Sequence, residues 1–186
     1  MGGLGADEVR AILGRHPAPV GTFVETGTHL GTTLLTVRAC GIFARLHSIE
    51  LSDELFALSE ARQYPGPGVL LLHHGDSAKI LPEIAATIRA AAFFWLDAHW
   101  YDAPGVAAEM PCPIFAELAA IAARSEPDVV VVDDVPCFGR RWSAADEGDW
   151  THVTEEAILA ALGAGRGRVA SHYVMDGKLV VHRSGT

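Results

Sequence analysis

Basic charge is scarce in this sequence. Its 14 Lys and Arg face 23 Asp and Glu, for a net charge of -9. That excludes a general nucleic-acid binder, which needs a basic face. Lys79 and Lys178 are the only lysines. Long apolar runs are missing too. Stretches such as "VVVV", Val129–Val132, fall far short of the roughly 20 residues that a membrane-spanning helix requires. The first residues, "MGGLGADEVR", carry neither a basic start nor an apolar stretch, so no signal peptide is expected and a cytoplasmic location is. Cys40, Cys112 and Cys137 lack metal-type spacing, and their odd number fits a reducing compartment. No internal repeat or low-complexity tract occurs.

What is present is a globular composition. Hydrophobic residues make up 49% and charged residues 20% of 186 positions, enough for one domain over 1–186 with a sizeable core. A short helix is expected over 6–16 and a core over 21–183. Within the core, β-rich runs alternate with helical ones. "GTFVETG", "ARLHSIEL", "VLLLHHGDS", "AAFFWLDAH" and "DVVVVDDV" read as strands. Helices are expected over Thr32–Cys40, Ser52–Tyr64 with Ser52 as N-cap, Ser77–Ala90, Cys112–Ser125 and Thr151–Gly165. "RVASHYVMDGKLVVHR" holds two strands around Asp176-Gly177, a hairpin signal. The alternation implies an α/β, Rossmann-like open sheet of about seven strands. It is mostly parallel with an antiparallel C-terminal hairpin strand at one edge, and helices cover both faces.

In such a sheet ligands sit at the carboxyl ends of the strands. Those ends read "ETGTHLG", "IE", "GDS", "LDAH" and "VDD". Solvation alone favours acids at strand ends, so no single one is diagnostic; all five together point to a site. Gly27 and Gly31 would let the backbone come close to a ligand. Glu25 stands where a dinucleotide-binding turn has its first glycine, and a carboxylate there suits a cationic ligand better than a pyrophosphate. Amides opening the next helix would meet a carboxylate, with Thr28, Thr32 and Thr33 as hydroxyl donors; helix capping is the alternative for Thr32 and Thr33.

These residues resemble the class I S-adenosylmethionine-dependent methyltransferases. Glu25–Thr33 looks like their first motif, Glu50 the acid on the ribose, Asp76 the contact at the adenine end and Asp97 the motif after the fourth strand. The resemblance implies S-adenosylmethionine as cofactor, bound by Glu25, Thr26, Gly27, Thr28, Gly31, Thr32, Thr33, Glu50, Leu51, Asp76, Ser77 and Asp97. It also implies a small-molecule acceptor, with O-methylation of a sugar, polyol or phenolic intermediate expected ahead of N-methylation, and catalytic roles for His99, Asp97 and Asp133. Asp97, Asp133 and Asp134 resemble the metal ligands of metal-dependent members, for Mg²⁺ or Ca²⁺. The catechol-type members place an asparagine near there, and this sequence has none. A homodimer would supply the pocket wall that so short a chain lacks. Neither nucleic acid nor membrane is expected as a partner. Trp100, Tyr101, Arg140, Arg141, Trp142, Trp150 and His152 are rim candidates. His73 and His74 read as structural, on opposite strand faces, and His29 as a residue over the cofactor. Cys112 and Cys137 read as packing residues. The competing readings are a nicotinamide-dependent oxidoreductase and a non-catalytic cofactor-binding protein.

Overall fold

The computed structural model describes residues 3–98, 112–140 and 150–186. The elements run α1 (Ala6–Leu13), β1 (Thr22–Thr26), α2 (Thr32–Ala39), β2 (Arg45–Glu50), α3 (Asp53–Ala61), β3 (Val69–His74), α4 (Ser77–Thr87), β4 (Ala92–Leu96), α5 (Ile114–Ala122), β5 (Val129–Val132), a 3-10 turn (Val135–Cys137), α6 (Glu155–Gly163), β6 (Arg168–Met175) and β7 (Lys178–Ser184). Seven strands form one sheet in the order β3-β2-β1-β4-β5-β7-β6. The first five are parallel, and β7 runs antiparallel to both β5 and β6. The expected antiparallel edge strand is therefore interior. The hairpin folds back so that its second strand fills the slot beside β5 and leaves β6 outermost.

The inner strands β2, β1, β4, β5 and β7 are buried on both faces, which is why they show no apolar-polar alternation, whereas the edge strands β3 and β6 are partly exposed. Phe23, Phe93, Trp95, Val129 and Val131 pack with α1 and α2, while Val24, Phe94, Leu96, Val130 and Val132 pack under α4, α5 and α6. Fully burying each such side chain contributes about 1.5–3 kcal/mol.

The helices are shorter than their patterns suggest, for local reasons. α1 ends at Leu13, before Gly14. Ser52 caps α3 as expected, accepting from the Leu55 amide. Pro113 lies at the N-cap of α5 rather than in its first turn. Thr154, not Thr151, opens α6, its hydroxyl accepting from Ala157. Pro82 is tolerated inside α4. Asp176 and Gly177 both take positive φ, 48° and 77°, as a tight hairpin turn requires. No helix among the described residues is long and apolar enough to cross a membrane.

Candidate functional site

The strand order reverses between β1 and β4, and the carboxyl ends of these strands form the crevice where open α/β sheets bind ligands. Gly27 turns the chain out of β1 with φ 81°. A Cβ there would stand 2.5 Å from the Asp97 carbonyl oxygen. Gly31, φ 66°, is the N-cap of α2, and a Cβ on it would collide with the Tyr64 ring. The sequence pattern reads both glycines as room for a ligand. A side chain at either position would meet the chain itself, so both glycines also set the path of the loop. No side chain caps α2, so its first amides keep the positive end of the helix available.

Three acids expected to bind cofactor are fixed by short contacts. Glu25, 1% exposed, accepts the Ser48 hydroxyl at 2.6 Å, and Ser48 in turn takes the Thr28 hydroxyl at 2.6 Å. Because Ser48 spends its single proton on Glu25, Thr28 is the donor of that pair. Glu50 accepts the amides of His29 and Ser52 at 2.7 and 2.9 Å, so it braces the glycine loop against β2. Each oxygen keeps a second lone pair for a ligand hydroxyl. Asp76 caps α4 through the Ala78 amide at 2.9 Å, and Ser77 is buried beside it. Thr33 accepts the Leu4 amide at 3.3 Å, which ties the segment before α1 to the start of α2. The Thr26 hydroxyl accepts the Asp97 amide. Leu51 is exposed, and Thr32 opens α2.

The electrostatics are those of a site short of cations. Burial, and then the neighbouring Asp133, Asp134 and Glu25, push Asp97 up to about 8. Burial, opposed by Ser48 and reinforced by Glu50, raises Glu25 to about 8. Burial raises Asp133 to about 6, held down by its backbone hydrogen bond and by Lys178. Among the described residues no Lys or Arg pairs with Glu25 or Asp97. A ligand carrying an ammonium or sulfonium would meet this need, so the residues fit S-adenosylmethionine.

The raised Glu25 has a pH consequence. Below its unfolded pKa, about 4.3, its stabilising contribution is complete; it is lost as pH rises through about 8, because the folded state then gives up a proton it held better than the unfolded one. The ligand-free protein should melt several degrees lower at pH 8.5 than at pH 6, and Glu25→Gln should flatten that slope in differential scanning calorimetry. Equal slopes in both proteins would count against the buried acid.

The expected metal finds no support among the described residues. Among the described residues no three His, Cys, Asp or Glu side chains come together to hold a metal. The charges of Asp133 and Asp134 raise Asp97, and that of Asp134 raises Asp133. Asp134 leaves the strand in a left-handed conformation, φ 60°, to open the 3-10 turn. His99, with Trp100, Tyr101, Arg141 and Trp142, lies outside the described residues. Trp150 is 6% exposed and stacks near Phe138. His152 packs near Phe115, and Arg140 is exposed. His73 pairs with His47 at 3.0 Å and His74 with Asp53 at 2.9 Å, one on each side of the sheet. Burial raises both the Cys112 and Cys137 thiols, in keeping with packing roles.

Two residues escape the sequence pattern. Lys178, 4% exposed, binds Glu8 at 3.0 Å and lies close enough to Asp133 to lower it. The clue was its place as the first residue of β7, one before the Leu179 that pairs with Val132. Glu117 on α5 is 1% exposed, and burial raises it to about 7, opposed by Ser77 and Thr26. Its helical pattern reads only as a polar position among alanines.

No protein-family model matches the chain, and no curated protein matches it. Solved structures do. Over 96% of this chain and 88% of its own, S-adenosylmethionine-bound CalS10, an amino pentose methyltransferase from Micromonospora echinaspora involved in calicheamicin biosynthesis, superposes with a TM-score of 0.57 at 16% identity. The O-methyltransferase TomG of Streptomyces achromogenes, involved in tomaymycin synthesis, gives 0.60 at 19% identity over 95% and 77% of the two chains. The sugar N-methyltransferase KedS8 from Streptoalloteichus sp gives 0.58 at 16%, over 96% and 86%. The fold is that of the S-adenosylmethionine-dependent methyltransferases. In a methyltransferase fold the crevice between β1 and β4, with Glu25, Glu50 and Asp97 around it, is the place where this chain's own acids gather.

Proposed function

We propose that the chain is an S-adenosylmethionine-dependent methyltransferase for a small-molecule acceptor carrying a hydroxyl or amine. The observation that carries this reading is the pair of buried, cation-free carboxyls, Glu25 and Asp97, at the switch point of a methyltransferase fold. Bound there, the cofactor supplies an electrophilic methyl group. Glu25 and Asp97 would answer its positive charge, Glu50 would accept ribose hydroxyls, and the opening amides of α2 would hold its carboxylate. Thr28 and Ser48 keep Glu25 in one orientation. Asp133, raised to about 6, is placed near neutrality, where a proton acceptor works well. It would take the proton that the acceptor gives up, with His99 the other candidate. Two of the superposed enzymes act on amino sugars or sugar nitrogen by their descriptions, so a sugar-like acceptor is part of the reading, methylated at nitrogen or oxygen. A homodimer that completes the pocket wall also belongs to it.

Calorimetric titration with S-adenosylhomocysteine, run with Mg²⁺ and again with EDTA, tests the cofactor. Micromolar binding under both conditions is expected. Failure to bind in either, with NADH bound instead, would replace this reading with the oxidoreductase one.

A further inference from the structure

Lys178 and Glu8 come from opposite ends of the sequence and meet beside the crevice. Lys178 Nζ donates to Glu8 Oε1 at 3.0 Å and to the Asp176 carbonyl at 3.3 Å. The two side chains are only 5% and 22% exposed, so water screens the pair little. The other oxygen of the same carboxylate, Oε2, accepts the Gly5 amide at 2.6 Å. One residue earlier, the Leu4 amide donates to Thr33 Oγ1 at 3.3 Å, in the first turn of α2. A Cβ on Gly3 would stand 2.5 Å from that hydroxyl, so the backbone runs directly against the helix. Leu4 itself is buried in the same apolar cluster as Leu34 and Val37 of α2.

The two anchors flank the switch point. Lys178 opens β7, which runs antiparallel to β5 with Leu179 opposite Val132, so it lies at the carboxyl end of β5. Thr33 follows the glycine turn at the carboxyl end of β1. β4 stands between β1 and β5. The segment Gly3–Glu8 therefore runs from one side of the β1–β4 crevice to the other, hydrogen-bonded at each end. Stability alone is a weak reason for such a pair. Apolar residues of similar size often replace a buried ion pair without loss, whereas the charged pair fixes which groups meet.

We propose that Glu8 and Lys178 are positioning residues for the amino-acid end of the cofactor. Their pair holds the Gly3–Glu8 segment in place. Through Leu4 and Thr33 that segment sets the first turn of α2, whose amides take the cofactor carboxylate in the reading above, on which this proposal rests. Neither side chain acts by touching the ligand.

The test is calorimetric titration of the full chain with S-adenosylhomocysteine and with 5′-methylthioadenosine, which lacks the amino-acid end. Glu8→Gln and Lys178→Met should each weaken S-adenosylhomocysteine about tenfold, a change of roughly 1.4 kcal/mol, and leave 5′-methylthioadenosine within about twofold. The double variant should lose little more than either single one, because one pair is being removed twice. Lys178→Arg, which keeps the charge, should bind nearly as the wild type does. Equal loss for both ligands, unchanged affinity for both, full additivity, or a loss for Lys178→Met without one for Glu8→Gln would overturn the positioning role. Thermal melting checks that each variant is folded, and Glu8→Gln, at the more exposed end of the pair, keeps the test open if Lys178→Met does not fold. Unfolding of both would overturn it as well, since the pair would then hold the fold rather than the ligand. If the wild-type chain binds neither ligand, the cofactor reading fails first, a result distinct from normal wild-type binding with indifferent variants.

Discussion

Gly27→Ala should lower the melting temperature by roughly 6–12 °C and remove measurable binding of S-adenosylhomocysteine. Two costs combine. A non-glycine residue held at φ 81° stores on the order of 1–3 kcal/mol of backbone strain. The new Cβ would also stand 2.5 Å from the Asp97 carbonyl oxygen and 2.9 Å from its carbon. Those are backbone atoms at the end of a central strand and cannot rotate aside, so overpacking adds about 1–3 kcal/mol. A total of about 3 kcal/mol converts to the stated shift at about 2–4 °C per kcal/mol for a chain of this size. Binding fails for a separate reason. Relief of the clash means parting β1 from β4 at their carboxyl ends, which moves Glu25, Thr26 and Asp97 together. A variant with normal melting and normal affinity would show that the crevice is not closed by this approach.

Asp128→Ala should destabilise the fold by about 3–5 kcal/mol, as breaking a buried ion pair does, and leave ligand affinity of the folded protein unchanged. Asp128 is 0% exposed and stands just before β5. It accepts from Arg124 Nε at 2.9 Å, from Arg183 Nη1 at 3.3 Å and from the Ala92 amide at 3.0 Å. Arg124 also donates to the carbonyls of Ala85, Ile88 and Ala90, and Arg183 to those of Ile121, Ala122 and Arg124. The cluster thus closes the ends of α4 and α5 against β4, β5 and β7. Removing its carboxylate leaves two buried guanidiniums facing each other. It lies at the amino ends of the parallel strands, opposite the crevice, so urea unfolding and calorimetric titration should separate: a lower midpoint with an unchanged Kd. A large loss of affinity in the folded variant would contradict this division of the molecule.

Much of the fold was legible because it is written in short-range patterns. Gly and Pro punctuate the chain, Ser52 and Asp76 cap their helices, and Asp176-Gly177 makes the hairpin. The strand-end acids were legible as well, since a parallel sheet gathers its carboxyl ends whatever the loops do. Helix ends were less so. The stop at Leu13 and the start at Glu155 depend on which of several capable residues caps the turn.

The sequence by itself determined the alternation of strand and helix, the acidic character of the strands' carboxyl ends and the glycine turn at Gly27 and Gly31, because each depends on neighbours within a few residues. The tertiary structure decided the rest. It placed β7 inside the sheet, set Asp97 and Tyr64 against the two glycines, buried Trp150 and Glu117, and brought Lys178 to Glu8 and near Asp133. Those contacts join residues far apart in the chain, and their energies come from burial and charge in a shared, water-poor space, which no local pattern records.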